Sequence, residues 1–275
     1  TSKKGTIIDF IADHATIETV VTGFELDGGN YETTGVGMAW PKTPASQLTG
    51  ATKRIQNCVI HNCGRGDQVE YHYGIVIGPW NHTTISNVEI LNNTVYDIGR
   101  DGIVLYAGND FPDNIVENIL VRGNDISATG ILVSSAGGGI GAKNHVKNAI
   151  IEYNYVHNCP SGIKINAYDN TTFSGPENAT IRYNIVTGTT GSYAPGLYIF
   201  TIKDPSVIIY GNLIFQNNGP GVRFDNTVTG DVDVKLYNNI FYKNGLSGGS
   251  GEIYINNFTA NSTNIEIKNN IFYTR

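Results

Sequence analysis

Along most of this chain apolar and polar side chains alternate with a period of two, and nowhere do they fall into the three-and-four spacing of an amphipathic helix. Eight segments carry the pattern: RIQNCVIHNCG, VEILNNTVYDIG, ILVRGNDISATG, IIEYNYVHNCPSG, TIRYNIVTGTTG, VIIYGNLIFQNNG, VKLYNNIFYKNG and IEIKNNIFYTR. In each, the alternation runs into a turn residue and then a short apolar pair. The turn residues are Cys58, Asn93, Asn124, Asn154, Asn184, Asn212, Asn239 and Asn270, spaced 35, 31, 30, 30, 28, 27 and 31 residues apart. An irregular earlier copy, TIETVVTGFELDG, places Gly23 at the same point.

After a variable stretch each period shows a second signature: GIVI (74–77), GIVL (102–105), GIGA (139–142), GIKI (162–165), GLYI (196–199), GVRF (221–224) and EIYI (252–255). Each period therefore holds three short strands bounded by Gly, Asn and Pro. One such unit cannot bury its apolar face alone, so the units must stack. The prediction is an all-β fold, a right-handed parallel β-helix of about nine coils of roughly 30 residues, with three strands per coil. Asn at the recurring turn tolerates the left-handed backbone conformation and can bond the Asn of the next coil. An antiparallel sandwich would not require one turn residue at so regular a period.

Composition narrows the class. Charged residues are only 15% of the 275, and Gly alone numbers 33, which opposes a helical bundle. A formal charge of −6 argues against a nucleic-acid partner, which needs a basic face. No run of 18 apolar residues is present, so no membrane span is expected. The opening TSKKGTIIDF has no signal-peptide pattern, so the expectation is a mature protein or an excised domain. Low charge, scarce Cys and Met, and sequons beginning at Asn81, Asn92, Asn170, Asn178, Asn257 and Asn261 suit an extracellular or cell-envelope location. No domain boundary interrupts residues 1–275, and NNIFYTR stops in mid-coil, so this single domain is expected to be cut from a longer chain. The pattern sets no oligomeric state.

In G-I-x-I-x the isoleucines point into the bore and the two x positions point outward. The first outward position reads Val76, Val104, Gly141, Lys164, Tyr198, Arg223, Tyr254, and the second Gly78, Tyr106, Lys143, Asn166, Phe200, Asp225, Asn256. Three cations on one stripe, in a chain with 18 Lys plus Arg, suit an anionic ligand, and tyrosine faces suit sugar rings. The plainer alternative is a set of solvated strand residues pairing with nearby carboxylates. Loops on either side of these strands would wall a cleft.

The repeat resembles the pectate-lyase-like right-handed β-helix superfamily over nearly the whole chain. Its Tyr-Asn-rich coils, low charge and sequons are also similar to the β-helix domain of archaeal disaggregatase. Most characterised members of the superfamily cleave acidic polysaccharides, and others are tailspikes, adhesins or epimerases. The resemblance implies an extracellular depolymerase of a uronate-containing polymer. The polygalacturonase set Asn-Thr-Asp, Asp-Asp, Gly-His-Gly and Arg-Ile-Lys is absent, as is the Arg-x-Pro-x-x-Arg segment of typical pectate lyases. Those family assignments therefore do not transfer.

The chemistry is left with two forms. Hydrolysis, slightly favoured, needs two carboxyls flanking the bond. Asp225 lies on the face, and Asp101, Asp169 or Asp204 could supply the second. A lyase acting by β-elimination needs a base and a cation, roles open to Lys164, Arg223 and Tyr198. Lys143, Asn166, Tyr106, Tyr254, His72 and Trp80 are candidate substrate contacts. A non-catalytic glycan-binding or structural β-helix is the third reading. HNCG (61–64) and HNCP (157–160) imitate a metal site, but their turn residues lie three coils, or roughly 14 Å, apart. They cannot share a metal or a disulfide. No cofactor is required, and Ca²⁺ has one candidate stretch, NDFPDN (109–114).

Overall fold

The computed structural model describes residues 5–9, 18–31, 33–39, 51–64, 72–79, 83–108, 113–130, 137–167, 175–200, 206–225, 231–247, 251–256 and 262–274. They form an all-β parallel solenoid of three nine-stranded sheets, with one strand of each sheet in every coil. Sheet A comprises Gly5–Asp9, Thr33–Ala39, Tyr73–Gly78, Asp101–Tyr106, Gly138–Lys143, Ile163–Asn166, Leu197–Phe200, Val222–Asp225 and Ile253–Asn256. Sheet B starts at Thr19–Thr22 and ends at Ser262–Lys268, and sheet C runs from Glu25–Tyr31 to Ile271–Tyr273. Every strand inside a sheet pairs in parallel with its equivalents in the coils before and after, and each end strand with one.

The alternation fills the bore as expected. Ile103, Ile140 and Ile163 stack in register, as do Leu105, Ala142 and Ile165, and all are buried. Burial of each large aliphatic chain contributes about 1.5–3 kcal/mol. The glycine that opens each G-I-x-I has a steric cause. At the corner between sheets C and A the coils approach so closely that a Cβ on Gly162 would sit 2.2 Å from the Gly196 carbonyl oxygen and 2.4 Å from Val186 Cγ1.

The recurring turn asparagines form one buried ladder. The Asn93 backbone N–H and its Nδ2 donate to Asn124 Oδ1, at 2.9 and 3.0 Å. The same pair of bonds then links Asn124 to Asn154, Asn184, Asn212, Asn239 and Asn270 in turn. One sequence expectation is corrected here. The left-handed residue is not the ladder asparagine but the residue before it: Asn57, Asn92, Gly123, Tyr153, Tyr183, Gly211, Asn238 and Asn269 all have positive φ. Gly23 accordingly matches Asn57, not Cys58: the Gly23 N–H donates to the Gln56 carbonyl as the Asn57 N–H does to that of Leu91. The ladder residue keeps an ordinary backbone and supplies the amide.

Asn154→Ala is expected to cost about 2–3 kcal/mol. It strips the acceptor from the Asn124 N–H and amide, and the donor from the Val121 carbonyl, all of them buried. Chemical denaturation measures this, and an effect as small as that of an exposed substitution would contradict the ladder's role.

Candidate functional site

The outer face of sheet A carries the residues that sequence alone placed there, in the predicted register. One row reads Val76, Val104, Gly141, Lys164, Tyr198, Arg223, Tyr254. The second reads Tyr106, Lys143, Asn166, Phe200, Asp225, Asn256. Lys164 and Arg223 stand two layers apart in the same row, roughly 10 Å along the axis. A third row at the strand starts aligns Tyr73, Asp101 and Gly138.

The expected open stripe is not what the centre of this face presents. Lys143, Lys164 and Asn166 are 5%, 4% and 3% exposed, and Asp101 is 0% exposed. Both lysines fold back toward Asp101 over glycines. Lys164 lies across Gly138, where a Cβ would meet its Cε at 2.9 Å and Asp101 Oδ1 at 3.4 Å. Lys143 lies across Gly141, where a Cβ would meet its Cε at 3.1 Å, and its Nζ donates to Asp101 Oδ2 at 2.9 Å. Arg100 Nε stands 3.8 Å from the same oxygen, and its guanidinium lies 5.9 Å from the Tyr73 ring centre. Burial pushes the Lys164 ammonium down to about 8; Asp101 opposes this, and Lys143 and Arg100 add to it. Asp101 Oδ1 and Asn166 Oδ1 are buried and accept no hydrogen bond among the described residues.

Among the described residues Asp101 is therefore an acid at the centre of this face, where the sequence offered it as a possible second carboxyl beside Asp225. Arg100 and Gly138 were missed, and Gly141 was placed in the row without a role. The signal was present in the gaps: glycines at outward positions next to a lysine leave room for that lysine to turn back.

The C-terminal half differs. The Arg223 guanidinium lies over Tyr198 at 5.3 Å on one side and Tyr254 at 5.5 Å on the other. Tyr198 also stacks on Phe200, with ring centres 4.2 Å apart. Faces expected to stack on sugar instead hold a cation, an arrangement that restrains the guanidinium. Tyr254 is 38% exposed. Tyr106 packs into a small outward apolar cluster with Tyr73, Val76 and Val104. His72, a candidate substrate contact, is instead buried against Gly64, where its Cβ takes the space of a side chain. Asp225 holds its place in the row, but its side chain lies outside the described residues, as do Trp80, Asp169 and Asp204. The Ca²⁺ candidate also falls largely outside them, since 109–112 are not described.

Elsewhere the polar clusters read as structural. The two HNC segments occupy the same turn on sheet C three strands apart. In each the His Nε2 meets an acid of an earlier coil, Glu25 or Asp125, and the His Nδ1 meets the following Asn. Cys58, Cys63 and Cys159 are free and buried, and burial pushes the Cys159 thiol up to about 11. On sheet B, burial would raise the Glu152 carboxyl, but hydrogen bonds from Arg182 and Arg122 outweigh it and hold the group below the usual carboxylate range. A shallow groove of about 460 Å³ over sheet B is lined by Asn87, Asn118 and Asn148 and their neighbours. Those three amides bond one another. Among the described residues no trio of His, Cys, Asp or Glu is placed to hold a metal, and no helix is long and apolar enough to cross a membrane.

Comparison with known proteins supplies the family. No curated protein sequence matches the chain. Solved structures do: the Azotobacter vinelandii mannuronan C-5 epimerase AlgE6 A-module has a TM-score of 0.55 at 14% identity, over 92% of this chain and 62% of that one. A glycoside hydrolase gives 0.53 at 13%, over 86% and 38%. The tailspike protein gp49 of Pseudomonas phage LKA1 gives 0.53 at 14%, over 97% and 47%. The chain thus spans less than two thirds of each of these structures, and at such identities the likeness is one of fold. The family model described as "Right handed beta helix region" matches residues 74–274, most of the chain and every coil of the candidate site. This protein belongs to the right-handed β-helix family.

Proposed function

We propose that the protein acts on an acidic polysaccharide laid along the outer face of sheet A, outside the cell or in its envelope, and cleaves it by β-elimination. One observation carries the reading: among the described residues Arg100, Lys143 and Lys164 gather around Asp101 on a buried part of this face. Such a site attracts an anionic ligand group. Two of the similar structures are by name an epimerase of mannuronan and a glycoside hydrolase, which supports a glycan substrate.

We favour elimination over the hydrolysis toward which the disaggregatase resemblance leans. Two-carboxyl hydrolysis needs its acids about 5–9.5 Å apart. Asp101 and Asp225 lie four strands apart in sheet A, roughly 19 Å along the axis, so this pair cannot flank one bond; the other candidate partners, Asp169 and Asp204, lie outside the described residues. Lys164, with its lowered proton affinity, is uncharged often enough near neutral pH to take the proton from the carbon beside the uronate carboxylate. Lys143 and Arg100 stabilise the charge that then develops on that carboxylate. The electron pair forms the ring double bond and expels the glycosidic oxygen, with Tyr198, one layer on in the row, as its proton donor.

The test is incubation with polygalacturonate, polymannuronate and hyaluronan, followed by product mass spectrometry. Chain ends lighter by one water and absorbing in the ultraviolet are expected. Saturated ends would replace elimination by hydrolysis, and a polymer neither bound nor changed would remove the reading.

A further inference from the structure

Lys143 and Lys164 explain attraction of a carboxylate, but they do not account for the two acceptors beside them. Asp101 Oδ1 and Asn166 Oδ1 belong to side chains at least nine-tenths buried, and neither oxygen accepts a hydrogen bond among the described residues. A buried acceptor left without a donor is unfavourable, and a ligand that brings a donor to it gains affinity. A second cation would be repelled by the lysines, which leaves neutral donors, hydroxyl groups. The two oxygens also lie on either side of Lys143. Asp101 lies in the strand before that of Lys143, and Asn166 in the strand after it, two coils apart and at opposite ends of the strand segment. That span is roughly 10 Å along the axis, too far for one sugar ring.

From this geometry we infer that the site selects a polyuronate stretch whose sugars on both sides of the captured carboxylate carry free hydroxyl groups, and that it discriminates against O-acylated polymer. The inference rests on the acidic-glycan reading of the same face. A free hydroxyl donates to Asp101 Oδ1 or Asn166 Oδ1; an ester at that position brings only acceptors and leaves the buried oxygen unmet. Affinity for the ester should fall roughly tenfold or more for each acceptor so affected.

The experiment is calorimetric binding of the intact chain to polygalacturonate and polymannuronate, each before and after chemical O-acetylation at equal carboxylate content. The expected result is at least about tenfold tighter binding of the unmodified polymer. Asn166→Ala should narrow that ratio while still binding, and Asn166→Leu, which keeps the volume but carries no acceptor, serves if the alanine variant does not fold. Equal binding of both forms overturns the inference and leaves the acidic-glycan reading standing. Undiminished discrimination by both Asn166 variants also overturns it, since the ester would then be excluded by bulk alone. Binding of neither polymer overturns the acidic-glycan reading, and this inference falls with it.

Discussion

Asp101→Asn is expected to destabilise the protein by about 3 kcal/mol or more, the magnitude typical of removing one partner from a buried ion pair. The change is nearly isosteric, so packing is kept and only charge is lost. Lys143 Nζ then has a neutral partner where it had a carboxylate at 2.9 Å, with Arg100 and Lys164 beside it. The double variant Asp101→Asn, Lys143→Met should recover much of the loss, because it removes the stranded charge as well as its partner. Urea denaturation of the three variants measures both numbers. A loss within about 0.5 kcal/mol for the single variant would mean that solvent already screens this cluster.

Lys164→Met is expected to move activity and stability in opposite directions. Activity against the responsive polymer should fall about 10²–10⁴-fold, the usual contribution of a positioned base. Stability near neutral pH should rise. The Lys164 ammonium titrates near 8 in the folded protein, against an ordinary 10.5. Below 8 both folded and unfolded chains carry the proton, and the folded one bears the unfavourable burial of the charge. Between about 8 and 10.5 the unfolded chain holds the proton and the folded chain has released it, so stability climbs with pH across that window. A difference of this size corresponds to roughly 3 kcal/mol. The wild type should therefore gain stability from pH 8 to 10 relative to Lys164→Met, and its cleavage rate should rise through pH 8. Parallel stability curves for the two proteins would show that Lys164 is not buried as a charge.

The fold was legible because alternation at period two and one turn residue per coil are properties of the chain itself. Register followed from them: Lys164, Tyr198 and Arg223, scattered over sixty residues, fall on one row as the G-I-x-I reading required. What a side chain does after leaving the strand was not legible. Pattern shows that Lys143 points outward, not that it doubles back over Gly141 to reach Asp101. It places Tyr198 and Tyr254 on the face, but not the Arg223 guanidinium between them. The left-handed residue was misplaced by one because Asn, favoured both for that backbone state and for amide ladders, often occupies both positions, as in Asn92 and Asn93.

The interval between ladder asparagines ranges from 27 to 31 residues, yet from Asn93 to Asn270 the strands on either side of each ladder position pair with those of the next coil in parallel register. Most of the length variation therefore falls outside these pairings. Evolution can exchange an excursion without disturbing the strand floor. It can equally change one floor position by a single codon without touching the excursions. Such a scaffold lets ligand preference and chemistry drift independently, and a transplanted excursion from another family member should be tolerated wherever its two anchoring strands are kept.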